Sequence, residues 1–391
     1  LGIFYFMISF DNTENAFTAK SNSDLNRSYW LFKLISSPAL VKIGAKTAPL
    51  ALSLGFKGLF KSTIFKQFVG GETINECDKT IAGLGKFNIG TILDYSVEGK
   101  ESEADFDACC KETIETIHKA KGNSHIPFCV FKVTGLARFD LLAKVSSGEA
   151  LSAEESREYD KVKQRVHRIC EEAYKAGQPI FIDAEESWIQ PAIDQLADDS
   201  MHAFNKQKAI VYNTFQLYRK DRLAFLKSTI ARAKAEGYYV GAKLVRGAYM
   251  EKERKRAAEK NYPSPIQDSK EHSDRDYNLA LEECIRNISM IGLCAGTHNE
   301  QSSLYLVKLM KDHQIADNDP RVYFSQLLGM SDHISYNLAL AGYNVAKYVP
   351  YGPIREVMPY LIRRAQENTS VKGQTGRELG LIIKEKARRK Q

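Results

Sequence analysis

The sequence predicts an α/β fold: a (β/α)8 barrel with an N-terminal helical segment and a C-terminal helix over the barrel mouth. Three observations predict it. From residue 88 onward, eight short apolar runs rich in Val, Ile, Phe and Tyr recur along the chain. Each is followed by a longer stretch with helical periodicity. The runs are apolar almost throughout, as strands covered on both faces must be. Eight such units over about 280 residues suit a closed parallel barrel better than an open doubly wound sheet.

In chain order, residues 25–69 come first. Trp30-Leu-Phe-Lys-Leu-Ile, Pro38-Ala-Leu-Val-Lys-Ile and Leu54-Gly-Phe-Lys-Gly-Leu-Phe-Lys read as short amphipathic helices broken near Pro38 and Pro49. The strand runs are Ile89–Tyr95, Pro127–Thr134, Pro179–Ala184, Ala209–Phe215, Tyr239–Val245, Met290–Thr297, Arg321–Ser325 and Tyr343–Pro350. Helical patterns cover Glu101–Lys121, Ala153–Ala176, Pro191–Asn205, Asp221–Ala235, Asp274–Asn287, Gln301–His313 and Ser331–Ala341. After the last strand, Pro353 sits where a proline suits a first helical turn. Ile354, Val357, Met358, Leu361 and Ala365 then form an apolar stripe, with Tyr360, Arg363, Arg364 and Glu367 on the roughly opposite side. The expected divisions are an N-terminal helical segment 1–87, the barrel 88–370 and a basic tail 371–391.

Composition narrows the classes. With 43% hydrophobic and 26% charged residues the chain reads as globular, and no apolar run reaches the roughly 18 residues of a membrane span. The opening Leu-Gly-Ile-Phe-Tyr-Phe-Met has no basic residues before it and no small-residue cleavage site after it, so no signal peptide is expected. The seven cysteines contain no Cys-x-x-Cys pair, which fits a reduced, cytoplasm-like compartment. The net charge of +7 is concentrated at the ends: residues 25–71 hold seven Lys or Arg and no acid, and the tail is strongly basic. The remainder is mildly acidic, which argues against a nucleic-acid-binding body. Lysine-rich amphipathic helices of the 25–69 kind either pack on the main domain with their lysines in water or meet anionic lipid. No Gly-x-Gly-x-x-Gly follows any strand, and Gly83-Leu-Gly85 precedes the first one, so a dinucleotide-binding crossover is not indicated. Neither metal-ligand spacing nor a serine nucleophile elbow is present.

In such a barrel the chemistry lies at the C-terminal strand ends. Those ends are polar here: Lys132, Asp183, Asn213 with Gln216, Lys243 with Arg246, Thr297 with His298, and Tyr348. A buried charge is costly unless paired, so several together point to a purpose. Lys132, Lys243, Arg246, Arg363 and Arg364 outnumber Asp183 and Glu367, and a pocket of that balance binds anions. Adjacent arginines suit a carboxylate or phosphate through paired N–H donors.

Phe181-Ile-Asp-Ala-Glu-Glu186, Asn213-Thr-Phe-Gln216, Gly241-Ala-Lys-Leu-Val-Arg-Gly-Ala-Tyr249, Thr297-His-Asn-Glu300, Tyr323-Phe-Ser-Gln-Leu-Leu-Gly-Met330 and the Arg-Arg-x-x-Glu-Asn ending of the last helix occur in one order. In that order they resemble the proline dehydrogenase family from about residue 85 to 370. The resemblance implies FAD-dependent oxidation of L-proline to Δ1-pyrroline-5-carboxylate, with electrons passed to a membrane quinone. It implies that Lys132, Arg363 and Arg364 clamp the substrate carboxylate. Asp183 is similar to the aspartate that holds the clamp in place, and Tyr249, Leu327, Tyr348 and Tyr360 to the walls around the pyrrolidine ring. Asn213, Gln216, Lys243, Arg246, Gly247, Ala248, Thr297, His298 and Glu367 resemble contacts to FAD, with Ala184 beside the flavin. Asp183 and Lys243 are expected to be catalytic, Lys243 by stabilising negative charge near the flavin N5.

Two departures look like the eukaryotic-type branch. Lys243 stands where the bifunctional bacterial enzymes carry an arginine, and Asn213 where they carry a glutamine. The chain is also short for the aldehyde dehydrogenase of those enzymes, so a single activity is expected. A branch acting on 4-hydroxyproline has a smaller, hydroxyl-bearing residue at the position of Tyr348, so proline is favoured here. Two other readings stay open on the residues alone: a barrel aldolase using Lys132 or Lys243 as a Schiff-base amine, and a non-catalytic lipid-binding protein built around the basic segment. The expected location is the cytoplasm, at the periphery of the inner membrane.

Overall fold

The computed structural model describes residues 8–53, 55, 57–97, 101–370 and 374–391. Eight parallel strands close into a barrel in chain order. They are β1 (Ile89–Tyr95), β2 (Phe128–Lys132), β3 (Ile180–Asp183), β4 (Val211–Gln216), β5 (Val240–Val245), β6 (Ile291–Gly296), β7 (Val322–Leu327) and β8 (Val345–Tyr351). Every predicted run overlaps one of these strands, and β4, β7 and β8 extend one or two residues beyond the predicted ends. Closure is made by β1 on β8, where Ile92 pairs in register with Tyr348.

Period-2 alternation sorts each strand into an inward and an outward set. Inside, Phe128 stacks on Phe181 at 4.5 Å between ring centres, and Tyr212 and Tyr323 meet Phe128 edge-on at 5.5 and 4.9 Å. This aromatic plug fills the barrel. Two glycines leave room for it, since a Cβ on Gly241 or Gly292 would fall 2.5 or 2.2 Å from Tyr212 side-chain atoms. Above the plug, toward the C-terminal ends, the same inward phase carries Asp94, Lys132, Asp183, Lys243 and Tyr348. Outward residues such as Ile182, Val211, Phe215, Leu244 and Val349 are fully buried under the helices.

The predicted helices are present, and among the described residues three further α-helices appear outside the N-terminal segment. Phe139–Ser147 and Met250–Lys260 lie in the loops after β2 and β5, and Gln374–Arg388 occupies the basic tail. Two details differ from expectation. Regular helix after β8 runs Met358–Ser370 rather than from Pro353. Residues 353–357 make one turn, with Val357 N–H bonded to Pro353 O at 3.1 Å. Pro359 has no N–H to continue that ladder, and instead takes a first-turn position where a proline costs little. Helix Pro38–Ser53 runs through Pro49 without a break, although a proline there donates no backbone bond.

The N-terminal segment packs on the body. Its helix Asn22–Ile35 starts with a reciprocal cap between Ser21 and Asp24. It buries Leu25, Phe32 and Ile35 in a second core with Phe65 and Phe68. The stripe Ile354, Val357, Met358, Leu361 and Ala365 of the last barrel helix joins this core, as do Leu381 and Ile382 of the terminal helix. Each fully buried side chain of this size contributes about 1.5–3 kcal/mol. The segment is tied to the barrel by backbone as well, Gly70 N–H to Pro350 O at 2.8 Å and Gly352 N–H to Gly71 O at 3.1 Å. The second core therefore roofs the C-terminal end of the barrel.

Candidate active site

Asp183 ends β3 on the inward phase and is met by side chains from three other strands. Lys243 Nζ of β5 lies 2.5 Å from Oδ1, Tyr348 Oη of β8 donates to Oδ2 at 2.8 Å, and Thr214 Oγ1 of β4 lies 3.4 Å from Oδ1. All four side chains are buried. Such a pair is retained only where further bonds satisfy both groups. Lys243 gains two from aromatic faces, with Nζ 5.0 Å from the Phe181 ring centre and 4.8 Å from that of Tyr348. Burial first, and then the Asp183 carboxylate, push the Tyr348 phenol well above its ordinary value, so it stays a proton donor. Lys132 at the end of β2 lies 3.7 Å from Asp94, which ends the inward set of β1.

The adjacent arginines have different neighbours. Arg363 borders a cavity of about 510 Å³ together with Tyr249, Thr134, Glu185, Glu186 and Lys252. Arg364 is buried, its guanidinium 5.1 Å from the centre of the Tyr360 ring. Its charge also reaches His298, whose imidazole is pushed down to about 3, first by burial and then by Lys347 and Arg364. His298 is therefore neutral, and its Nδ1 lies 2.9 Å from Ser331 Oγ. Leu327 pairs in register with Tyr348 and packs with it above the aromatic plug.

The other predicted residues fall into two groups. Arg246 is held by three bonds, Nε to Asp274 at 2.7 Å and its two terminal nitrogens to Thr297 and Ser302 at 2.7 and 2.9 Å. Its guanidinium also lies over Tyr277 at 4.3 Å. This arrangement joins the ends of β5 and β6 and fixes Thr297. Gly247 follows with φ +135°, and a Cβ there would fall 2.3 Å from the Tyr218 ring, so only glycine fits this turn. Ala248 and Ala184 are partly buried at their strand ends. Asn213 is placed apart from the mouth. It belongs to the outward set of β4, and its amide donates to Asp194 of helix Gln190–Phe204 at 3.0 Å. The physical reason is strand alternation: Thr214 and Gln216 point inward, so Asn213 points out. The side chain of Glu367 lies outside the described residues.

FAD is the group that the resemblance implies, and the residues present fit it. Gln216 Oε1 is buried at the mouth without a hydrogen-bond partner among the described residues. The Gly247 turn leaves exposed backbone beside it. Basic side chains at the ends of β2 and β5 and on helix Met358–Ser370 suit an anionic cofactor.

Sequence reading missed several contributors. Asp94 shares the inward phase of Ile92, the same signal that found Lys132, and could have been read that way. Glu185 accepts from Thr134 N–H at 3.1 Å and is pushed up to about 7, by burial first and by neighbouring Glu186 second. Ser331 and Asp274 carry no local signal, because their partners are remote in sequence.

A (β/α)8 barrel whose C-terminal mouth gathers a buried Asp–Lys–Tyr cluster has the architecture of an enzyme. The sequence matches the family described as "Proline dehydrogenase" over residues 77–377, and the chain belongs to that family. The carbapenem antibiotics biosynthesis protein CarD of Pectobacterium carotovorum subsp. carotovorum is 34% identical over 333 residues, 85% of this chain and 86% of the relative. Proline dehydrogenase 1, mitochondrial, of Dictyostelium discoideum is 31% identical over 426 residues, 97% of this chain and 74% of the relative. The hydroxyproline dehydrogenase of Xenopus laevis is 31% identical over 412 residues, 95% of this chain and 88% of the relative. The crystal structure of proline utilization A (PutA) from Bdellovibrio bacteriovorus inactivated by N-propargylglycine shares the fold, with a TM-score of 0.71 at 20% identity. That match covers 92% of this chain, which spans 38% of the solved one.

Proposed function

We propose that the chain oxidises L-proline to Δ1-pyrroline-5-carboxylate with FAD as cofactor and a quinone as the onward electron acceptor. The observation that carries this reading is the Asp183–Lys243–Tyr348 cluster at the strand ends, roofed by the helix that bears Arg363 and Arg364. Membership of the family supports it.

Arg363, Arg364 and Lys132 supply the cations for the proline carboxylate, each able to make a charge-assisted bond. Tyr348 and Leu327 wall the substrate ring, and the bond from Tyr348 to Asp183 fixes the orientation of that wall. FAD, when bound, supplies the acceptor for the hydride that leaves the ring carbon next to nitrogen. Lys243, held by Asp183 in a dry site, is placed to stabilise negative charge that develops beside it. Purified protein should be yellow after FAD reconstitution and should lose its visible absorption on adding L-proline. A protein that takes up no FAD overturns this reading.

Hydroxyproline is the alternative substrate, and the relative in Xenopus laevis bears that name. Proline is favoured because Tyr348 is held by its hydroxyl against Asp183 and has Lys243 over its ring, leaving the wall no freedom to retreat.

The same proposal includes a peripheral membrane contact at the site of quinone reduction. Trp30, Leu34, Leu40 and Ile43 are exposed large apolar side chains on the two N-terminal helices, with Lys33, Lys42 and Lys46 exposed among them. A basic rim around an apolar patch suits an anionic lipid surface. No helix of the described residues is long and apolar enough to cross a membrane. Salt-sensitive co-sedimentation with anionic vesicles is the expected result, and its absence counts against the contact.

A further inference from the structure

The family match ends at residue 377, within the first turn of the terminal helix Gln374–Arg388. Leu381 and Ile382 account for its packing in the second core. Two adjacent side chains near its start do something else. Arg377 donates through Nε to Glu300 Oε1 at 2.8 Å and through a terminal nitrogen to Asp11 at 2.8 Å. Glu300 opens the helix that follows Thr297-His298-Asn299, and its carboxylate also meets His333 Nε2 at 3.0 Å. The next residue, Glu378, is buried and accepts the backbone N–H of Ser331.

Ser331 is the turn after β7. Its φ is +50°, a conformation that residues with a side chain rarely adopt. A backbone held there needs surroundings that over-determine it. The Glu378 carboxylate supplies one such restraint, and the Ser331 hydroxyl in turn meets His298 Nδ1 at 2.9 Å. Arg377 therefore grips the loop after β6, and Glu378 the loop after β7, and the two loops meet at His298.

We propose that Arg377 and Glu378 are positioning residues: the terminal helix uses them to set Thr297, His298 and Ser331 in the arrangement that receives the cofactor. The proposal rests on the reading of the mouth as an FAD site. It assigns a role to a helix that the sequence presents only as a basic tail. By linkage, occupancy of the mouth should also hold the helix down.

The test is titration of the full-length apoprotein with FAD, followed by quenching of flavin fluorescence. Loss of a bond to a charged acceptor is expected to raise the Kd of Glu378→Ala about tenfold. Glu378→Gln keeps an amide oxygen for the Ser331 N–H and should stay within about twofold of the parent. Arg377→Ala should raise Kd about threefold, because Glu300 keeps His333. Arg388→Ala, on the same helix but paired with Glu385 and Glu14, should change nothing. The proline concentration that half-bleaches the FAD-saturated Glu378→Ala protein should stay within about twofold, since the loops are assigned to cofactor and not substrate. An unchanged Kd for Glu378→Ala overturns the proposal. So does an equal loss in Arg388→Ala, which would mean that the helix acts through general stability. If the parent protein binds no FAD, the cofactor reading fails on its own. The His298 ring signals of the apoprotein then decide the positioning role: a shift between parent and Glu378→Ala supports it, and unmoved signals overturn it.

Discussion

Two strand lysines, Lys243 and Lys347, invite comparison because they begin so similarly. Each is buried in the barrel wall, and each is paired with one aspartate, Lys243 with Asp183 at 2.5 Å and Lys347 with Asp332 at 2.9 Å. Their surroundings differ. Lys347 belongs to the outward set of β8 and is closed in by backbone, donating to Met330 O at 2.6 Å, while Asp332 is shared with Lys20 at 3.0 Å. Lys243 faces the barrel interior, and its aspartate also holds Tyr348, which lines the mouth. One pair joins the N-terminal segment to the barrel. The other faces the barrel interior at the C-terminal strand ends. Strand phase alone separates the two roles, so a buried ion pair is informative only once its side of the sheet is known.

Substitutions at the two aspartates test that contrast. The largest effect should come from Asp332→Asn, which leaves Lys347 and Lys20 facing each other without their carboxylate. Removing one partner of a buried pair costs about 3–5 kcal/mol, so denaturant unfolding should show that loss while folded protein keeps its kcat/KM. Asp183→Asn should do the reverse, lowering kcat/KM with proline roughly thousandfold, about 4 kcal/mol of transition-state stabilisation. Its melting temperature should move far less than that of Asp332→Asn. If the two variants exchange behaviours, the assignment of roles is wrong. Arg364→Met comes next: loss of a charge-assisted bond to the substrate should raise KM about thirtyfold, or ~2 kcal/mol, with FAD retained. Tyr348→Ser should shift the ratio of kcat/KM values toward 4-hydroxyproline about tenfold, measured by dye reduction with each substrate.

The smallest expected effect concerns pH. His298 is held neutral, pushed down to about 3 by burial and neighbouring cations, while in the unfolded chain it protonates near its ordinary value of about 6.5. Its contribution to stability is therefore complete above about pH 6.5 and is lost as the pH falls from there toward 3. Unfolding midpoints measured from pH 7 down to 5 should fall less steeply in His298→Asn than in the parent.

The barrel was legible because its strands are near-continuous apolar runs and its helices carry a stripe, so one periodicity gives way to the other eight times. Met250–Lys260 escaped for the complementary reason. Its sequence Met-Glu-Lys-Glu-Arg-Lys-Arg-Ala-Ala-Glu-Lys has almost no apolar stripe, and it buries Glu253 against Ser187 at 2.6 Å instead. The strand-end charges were readable residue by residue, and Asp183, Lys243 and Tyr348 do meet. Asn213 shows the limit of motif reasoning. It sits one residue from inward-facing Thr214, and alternation sends it to Asp194 behind the strand. The terminal helix was illegible as a partner of the site, since Arg377 and Glu378 reach loops 77 and 47 residues away in sequence.

On the proposed function, Arg364 and the Asp183 cluster bind proline against a flavin. Anaerobic titration of FAD-reconstituted protein with L-proline tests it most directly, read as bleaching of the visible flavin band. Full bleaching is expected of the parent protein, and bleaching of Arg364→Met only at about thirtyfold higher proline. A flavin band that proline leaves unchanged in the parent, or equal titration curves for the two proteins, would contradict it.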